Sequence, residues 1–392
     1  MAWASAVSEL AGTDLALHAV ADAVEAALGG REPDLLLAFA SSHHARRFDA
    51  VPAGLARRFP NALLVGCSAG GVIGGAHEIE GRTGFSLTAA ALPGVALAPL
   101  RAEAGSDAAT TVASWAAPSP ARNPVHVLLF PDPFTADAEG LLGAMDARWQ
   151  GGVRIGGLAS GGTRAGSHAL WLGGTTWRDG AVGVALSGDL EVDTIVAQGC
   201  RPIGQPMLVT RCEGNRVRTL DERTPLDALR DLARGLDDRD RELFRSSLLV
   251  GLEMRGDQEE YHQGDFLIRQ LHGLDPETGA IAIGCRPEPW QVLQFHVRDA
   301  VTSAEDLGQR LERYRRSAAS SDVSGALLFS CLGRGEGLYG HPDHDSALFQ
   351  AVLGDGVPLG GFFCNGEIGP VGGTAFVHGF TSAFALFRSP AV

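Results

Sequence analysis

Two oppositely charged side chains near the end of the chain, Arg334 and Glu367, have the chemistry of an amino-acid clamp. Each lies in a glycine-rich segment that follows an apolar run. A guanidinium fork matches a carboxylate in shape, and a glutamate accepts hydrogen bonds from an ammonium group. The two side chains could therefore hold an amino acid by both charged ends. The alternative is a salt bridge between them that holds two loops together.

A cysteine and a histidine in the same part of the chain could form a nucleophilic pair. Cys331 follows an apolar run, and His378 is the nearest candidate base by motif. Cys67, followed by Ser68, occupies the analogous place earlier in the chain. A thiol beside an imidazole would support a cysteine-dependent hydrolase or transferase. Free cysteines are also among the most buried residue types, so a packing role fits both of them.

Three further polar positions have two interpretations each. Asn365 and Thr381 could orient a ligand through hydrogen bonds, or they could cap loops and turns. The run from His341 to Asp345 contains residue types that bind metals, but a proline interrupts it and a helix follows. We favour Asp343 or Asp345 as the cap of that helix. The six cysteines form no C-x-x-C pair, and we predict neither a metal nor a cofactor.

Apolar runs that read as buried strands must position these side chains. They cover residues 34–40, 62–66, 126–130, 181–186 and 326–329. Three glycine-rich segments resemble one another: LLVGCSAGGVIGG, VRIGGLASGG and VPLGGFFCNGEIG. Their long and unequal spacing indicates duplication of an α/β unit rather than a solenoid.

The order of the elements predicts an α/β (α+β) fold. We expect two similar halves with mixed β-sheets and helices on their outer faces, in a layering of helix, sheet, sheet and helix (αββα). A doubly wound fold is the second choice, because no G-x-G-x-x-G follows the first strand. A charged helix over residues 225–244, capped by Thr224, would join the halves.

Four motifs together resemble the FIST family, the F-box and intracellular signal transduction proteins. The first three are Ser330-Cys331-x-x-Arg334, the run Gly366 to Pro370, and His378-Gly379-x-Thr381. They are similar to the FIST C-terminal domain, which we assign to residues 221–388. The fourth, Val65 to Gly71, is similar to the FIST N-terminal domain, assigned to residues 31–220.

The resemblance implies a sensory or scaffold protein that binds a small ligand, with amino acids as one ligand class. It supplies no established set of catalytic residues. Output would pass through a separate signalling partner protein. We predict a ligand pocket built from Arg334, Glu367, Asn365 and Cys331, with His378 and Thr381 as further ligand-binding candidates. The matching N-terminal loop, Cys67-Ser68, would either close over this pocket or form a second site.

Composition limits the other functional classes. The chain has 32 lysine and arginine residues against 46 aspartate and glutamate residues, a net charge of −14. Such a surface repels phosphate backbones, so we expect no nucleic-acid binding. The N-terminus carries no basic region followed by an apolar core, and no apolar run approaches the ~18 residues of a membrane span. We therefore predict a cytoplasmic protein that does not bind membranes.

Overall fold

The computed structural model describes residues 1–118, 124–256, 260–317, 319 and 322–390. The chain divides into two compact units. The larger unit consists of Met1–Val196 and Gly308–Val392, and the smaller unit of Ala197–Leu307. Within the described ranges, no helix has both the length and the apolar character needed to cross a bilayer.

The first part of the chain alternates strands and helices and then adds a hairpin and a last strand. We call it repeat 1. Its elements are β1 (Ala2–Ser8), α1 (Thr13–Leu28), β2 (Leu35–Ser41), α2 (Val51–Arg58), β3 (Leu63–Ala69), the hairpin β4 (Gly71–Gly74) and β5 (His77–Glu80), and β6 (Phe85–Ala91). A 3-10 helix, Ser42–Ala50, lies between β2 and α2. Helix α1 ends at Gly29, whose φ of 61° favours a residue without a side chain.

The next segment, repeat 2, has the same order of elements. They are β7 (Val95–Ala102), α3 (Ala108–Ser114), β8 (His126–Pro131), α4 (Ala138–Arg148), β9 (Arg154–Gly157), the hairpin β10 (Leu170–Leu172) and β11 (Thr175–Trp177), and β12 (Ala181–Gly188). Strand β8 is buried along its whole length, as the apolar run at 126–130 predicts. Strand β13 (Glu191–Gln198) then begins a third copy.

The smaller unit comes between β13 and the rest of that copy in the sequence. It is a closed barrel of antiparallel strands in the order β14-β15-β18-β17-β16-β19. Its elements are β14 (Cys200–Glu213), β15 (Arg216–Leu220), α5 (Pro225–Gly235), α6 (Asp238–Ser247), β16 (Leu248–Glu253), β17 (Phe266–Leu274), β18 (Ile281–Ile283) and β19 (Val292–Arg298).

The charged segment at 225–244 forms two helices rather than the single predicted one. Thr224 caps α5, since its side chain accepts from the Asp227 N–H as predicted. Asp237 provides a second cap, for α6, by accepting from the Asp240 N–H at 2.7 Å. A new cap at this point starts a new helix, and the sequence analysis did not recognise it.

The third copy, repeat 3, is completed after the barrel. It consists of β13, α7 (Ala300–Arg315), β20 (Val323–Cys331), α8 (Glu336–Tyr339), α9 (His344–Leu353), β21 (Leu359–Cys364), the hairpin β22 (Glu367–Val371) and β23 (Thr374–His378), and β24 (Thr381–Arg388). Repeat 3 thus contains the same succession of strands and helices as the first two, except for the additional short helix α8, and the barrel is inserted after its first strand.

The three repeats exchange hairpins in a closed cycle. Three six-stranded sheets are described, and each holds four strands of one repeat and the hairpin of another. Their strand orders are β1-β6-β2-β3-β10-β11 in sheet I, β7-β12-β8-β9-β22-β23 in sheet II and β13-β24-β20-β21-β4-β5 in sheet III. Repeat 1 gives its hairpin to sheet III, repeat 2 to sheet I and repeat 3 to sheet II.

The sheets share one core and carry helices on their outer faces. Phe39 of sheet I stacks on Phe362 of sheet III at 4.5 Å between ring centroids, and Phe130 of sheet II lies 6.0 Å from both Phe329 and Phe362 of sheet III. Helices α1 and α2 pack on sheet I, and α3 and α4 on sheet II. In every sheet a parallel strand pair lies beside an antiparallel neighbour. The predicted α/β class with mixed, helix-covered sheets is confirmed.

The three resembling sequence segments form equivalent strands, and a glycine at the same position in each segment explains why. Gly66, Gly156 and Gly361 face Ala38, Leu129 and Leu328 across the parallel strand pairs. A Cβ at each glycine would overlap the carbonyl oxygen of the facing residue. Only glycine allows this approach, so the motif recurs wherever the parallel pair is built.

Candidate functional site

Each repeat presents one residue at the carboxyl end of its central strand. The equivalent positions lie three residues beyond the residue that faces the shared glycine. They are Ser41 in repeat 1, Asp132 in repeat 2 and Cys331 in repeat 3. Open α/β sheets place ligands at such carboxyl ends, so these three positions are the natural candidates for a site.

At the carboxyl end of β2, the central strand of repeat 1, the polar side chain stabilises the fold. Ser41 is buried, and its hydroxyl accepts from the Gly84 N–H at 3.0 Å. The Ser41 N–H donates to the Gly84 carbonyl at 2.8 Å. The side chain therefore joins the end of β2 to the start of β6 and leaves no group for a ligand.

At the carboxyl end of β8, the central strand of repeat 2, an aspartate and a histidine form a fully buried pair. His168 Nδ1 lies 2.7 Å from Asp132 Oδ2, and the Gly162 N–H donates to His168 Nε2 at 3.1 Å. Because Nε2 accepts, Nδ1 carries the proton and donates to Asp132. Burial raises the pKa of Asp132, but hydrogen bonds from His168, Thr135 and Phe134 outweigh it and hold the pKa below its usual value. The pair looks catalytic, yet both imidazole nitrogens are already used, Nδ1 by Asp132 and Nε2 by the Gly162 N–H.

Beyond the carboxyl end of β20, the central strand of repeat 3, an arginine forms an ion pair inside the protein. The Arg334 and Asp345 side chains are 0% and 1% exposed. Arg334 Nε lies 2.9 Å from Asp345 Oδ2, and Nη2 lies 3.0 Å from Oδ1. This two-pronged geometry is the strong form of such a pair. Asp345, a predicted candidate for the helix cap, is thus the carboxylate that accepts from both nitrogens of the Arg334 fork.

Asp345 is the centre of a polar cluster between β20, β24 and α9. It accepts from Ser382 Oγ, from Ser330 Oγ at 3.4 Å and from His344 Nδ1 at 2.8 Å. Burial raises the pKa of Asp345, but the positive charge of Arg334 and these hydrogen bonds lower it by more than burial raises it. The net pKa is below the usual value, so the carboxylate stays ionised. The cluster fixes the loop that follows Cys331.

Glu367, the other half of the predicted clamp, is a buried acceptor. Its Oε2 accepts from the Thr381 N–H at 2.9 Å and from Thr381 Oγ1 at 2.7 Å. Cys364 Sγ lies 3.6 Å from Oε1. Burial raises the pKa of Glu367 to about 7, against the opposing effect of the Thr381 hydrogen bonds. Thr381 therefore orients Glu367, and the carboxyl group titrates near neutrality.

The remaining predicted residues differ in their access to solvent. Asn365 is exposed and Cys331 is half-buried. His378 is buried, and its Nε2 lies 3.0 Å from the Gly369 carbonyl oxygen, to which it donates. Cys67 is fully buried in the core shared by the three sheets, and burial raises its pKa well above the usual range. Ser68 is also buried, and its Oγ donates to the Ser160 carbonyl at 3.3 Å.

Ser160 joins the glycine-rich turns of all three repeats, and the sequence analysis did not single it out. Its hydroxyl accepts from the Gly70 N–H at 2.8 Å and donates to the Phe363 carbonyl. The Ser160 N–H donates to the Ser68 carbonyl at 3.1 Å. Ser68 thus lies at the same end of the larger unit as Asn365, while Cys67 belongs to the core beneath.

The hairpin that repeat 1 donates to sheet III supports the Arg334 loop. Glu78 is buried, its Oε1 accepts from the Ser346 N–H at 2.7 Å, and its own N–H donates to Asp343 Oδ1 at 2.6 Å. Asp343 therefore sits at the start of α9 but makes no capping hydrogen bond. Burial, with the nearby Asp345 charge, raises the pKa of Glu78 to about 8. Among the described residues, no group of three or more His, Cys, Asp or Glu could hold a metal.

Family models match nearly the whole chain. The model described as FIST N domain matches residues 34–223, and the one described as FIST C domain matches residues 225–370. An uncharacterized protein of Mycobacterium tuberculosis is 38% identical over 373 residues, which covers 95% of each chain. An uncharacterized protein of Mycobacterium bovis is 37% identical over 374 residues, 93% of this chain and 95% of its own.

A distant solved structure also aligns with the chain. The cyanuric acid hydrolase from A. caulinodans aligns over the full length of both chains, at 11% sequence identity and a TM-score of 0.31. This score is too low to support an inference about a shared fold.

Proposed function

The chain belongs to the FIST family, and from that premise we propose that it senses a small molecule at the carboxyl ends of β20 and β21 and signals through a partner protein. FIST domains as a class have a sensory and signal-transduction role. One observation carries the location. Of the three equivalent strand ends, Ser41 and Asp132 are buried in structural hydrogen bonds, whereas Cys331 is half-buried beside an exposed Asn365.

We assign the predicted residues two different roles in this site. Asn365 and Cys331 contact the ligand, because their side chains reach solvent. Arg334, Glu367, Thr381 and His378 are buried, so they position the two loops rather than form the outer surface. Ser68 holds the neighbouring turn through Ser160, and Cys67 packs beneath it.

Amino acids and small carboxylates are the proposed ligand class. The Asn365 amide offers both donors and an acceptor, which suits a ligand with a carboxylate and an amine. The Glu367 carboxyl group, with its pKa of about 7, can change charge when a cation approaches. A cytoplasmic location, the domain boundary between residues 220 and 221, and the signalling partner remain predictions of the same proposal.

A thermal-shift screen against amino acids and small carboxylates tests the proposal. A ligand present at one hundred times its dissociation constant stabilises the native state by about 2.7 kcal/mol. For a chain of this size we expect the midpoint to rise by about 3 °C. The shift should vanish in Asn365→Ala and persist in Asn61→Ala, which makes the same change at an exposed position between α2 and β3.

Two results would count against the site. One is a shift of equal size in wild type and Asn365→Ala, which would place the ligand elsewhere. The other is no shift with any compound in a protein that melts cooperatively, which would remove this ligand class. Asn365 is exposed, so its replacement leaves the buried polar clusters intact and the comparison stays interpretable.

A further inference from the structure

Two cysteines stand side by side at the ends of neighbouring strands. Cys331 and Cys364 are direct partners in the parallel pairing of β20 with β21, so their side chains leave the same face of sheet III. Neighbouring strands lie about 4.8 Å apart. The Cα atoms of a disulfide lie about 4.4–6.8 Å apart, so the pair has the spacing for a bond.

Hydrogen bonds join the two strand ends on both sides of the cysteine pair. Cys364 Sγ donates to the Ser330 carbonyl at 3.3 Å, and this carbonyl belongs to the peptide that leads into Cys331. The Leu332 N–H donates to the Cys364 carbonyl at 3.1 Å, which continues the ladder one step beyond the pair. Both cysteines end their strands, so a small backbone adjustment can bring the sulfurs into contact.

The two thiols differ in the way that a reactive and a resolving cysteine differ. Cys331 is half-buried, and its sulfur accepts from the Gly333 N–H at 3.5 Å. Cys364 is fully buried, and burial raises its pKa well above the usual range. An accessible sulfur that accepts a hydrogen bond meets an oxidant first, and a buried protonated thiol beside it can close the bond.

We propose that Cys331 and Cys364 form a reversible disulfide when the protein meets a hydroperoxide. The Cys331 thiolate attacks the peroxide, so an S–O bond forms, the O–O bond breaks, and an alcohol or water leaves with the proton. The Cys364 sulfur then attacks the sulfenic acid, so the S–S bond forms, the S–O bond breaks, and water leaves with the Cys364 proton. Two electrons pass from the thiols to the peroxide.

This arrangement occurs at only one of the three equivalent positions. In the strand pairings that the structure describes, Cys67 faces Phe39 and Leu170, Cys200 faces Arg298, and Cys212 faces Val217. Thiol faces thiol only between β20 and β21. The proposal does not depend on the ligand, because it rests on the strand register and on the contacts of Cys364.

Peptide mapping of the peroxide-treated wild-type protein is the first test. Trypsin cuts after Arg316, Arg334 and Arg388, so the two cysteines fall in separate peptides, 317–334 and 335–388. After mild hydrogen peroxide and alkylation of the remaining thiols, we expect these peptides to run as one linked species. The mass of the linked species is about 2 Da below the sum of the two reduced peptides, because two hydrogens are lost. Dithiothreitol should separate it into the two peptides.

Single substitutions identify the order of the steps. In Cys364→Ser, dimedone should trap a sulfenic acid at Cys331, and no linked species should form. Cys331→Ser should give neither product, and the control Cys67→Ser should still form the linked pair. If wild type shows both peptides unlinked under these conditions, or a bond between other cysteines, the proposal is wrong. The wild-type result decides this even if a variant fails to fold.

Discussion

The strand ends of repeats 2 and 3 occupy equivalent positions but use their charged side chains differently. Asp132 accepts hydrogen bonds from His168 and from Phe134 and Thr135 of its own loop, and the other ring nitrogen of His168 accepts from the Gly162 N–H. The corresponding end of repeat 3 also has a buried pair, between Arg334 and Asp345, but leaves Cys331 half-buried and Asn365 exposed. A scaffold repeated three times can thus keep its packing in every copy while one copy carries the proposed site.

Among the variants of the two strand ends, breaking the Arg334–Asp345 pair should cause the largest loss of unfolding free energy. Arg334→Ala leaves a buried carboxylate without its cation, and such a loss costs about 3–5 kcal/mol of unfolding free energy. The matched control is Arg47→Ala, whose partner is Asp14 in a pair that is 58% and 59% exposed. Exposed pairs are worth about 0–1 kcal/mol. Urea unfolding of both variants checks the difference, and equal losses would contradict the buried role of Arg334.

The pH dependence of stability tests the second buried carboxyl group of repeat 3. Glu367 has a folded pKa of about 7 against an ordinary value of 4.5, so the folded state binds more protons between these values. Its contribution is fully present below pH 4.5 and is lost as the pH rises through 7. The effect is on the order of a few kcal/mol.

A neutral isostere isolates that contribution. Wild type should lose more unfolding free energy than Glu367→Gln between pH 5 and pH 8, since the amide does not titrate. Urea titrations at both pH values measure the difference between the two proteins, which cancels the other titrating groups. Parallel curves for wild type and Glu367→Gln would show that Glu367 is ionised in the folded protein throughout this range.

Removing the histidine of repeat 2 should have a smaller effect and sharpen the functional contrast. His168→Ala takes one partner from buried Asp132, which keeps its bonds from Phe134 and Thr135, so we expect a loss of about 1–3 kcal/mol. Ligand shifts in the thermal screen should survive, because this strand end is structural. Loss of the ligand shift with little change in unfolding free energy would give the Asp132–His168 pair the role that we assign to repeat 3.

Much of the fold could be predicted from local sequence patterns. Apolar runs such as 34–40 and 126–130 form buried strands, and the three glycine-rich segments lie in equivalent places because each needs the same close approach of two backbones. The cyclic exchange of hairpins was not predicted. Pairing of β4 with β21, or of β10 with β3, depends on residues far apart in sequence, and short strands give no local sign of their partner.

For the candidate site, the sequence predicted residues that lie close together, but it did not predict several of their contacts. Cys331, Arg334, Asn365, Glu367 and Thr381 do gather around the ends of β20 and β21. The partner of Arg334 was missed, because an aspartate at the start of a helix reads locally as a cap. Glu78 was missed because it arrives on a hairpin from repeat 1. Asp132 could have been noticed, since it lies two residues beyond the strand predicted at 126–130.

Titration calorimetry with the amino acid or carboxylate that gives the largest thermal shift tests the central claim most directly. The three proteins to compare are wild type, Asn365→Ala in repeat 3 and His43→Ala, an exposed change in the 3-10 helix that follows β2 of repeat 1. We expect wild type and His43→Ala to bind with the same affinity, and Asn365→Ala to bind at least about tenfold more weakly, a difference of about 1.4 kcal/mol. Unchanged affinity in Asn365→Ala, or a loss in His43→Ala instead, would contradict the assignment of the site to repeat 3.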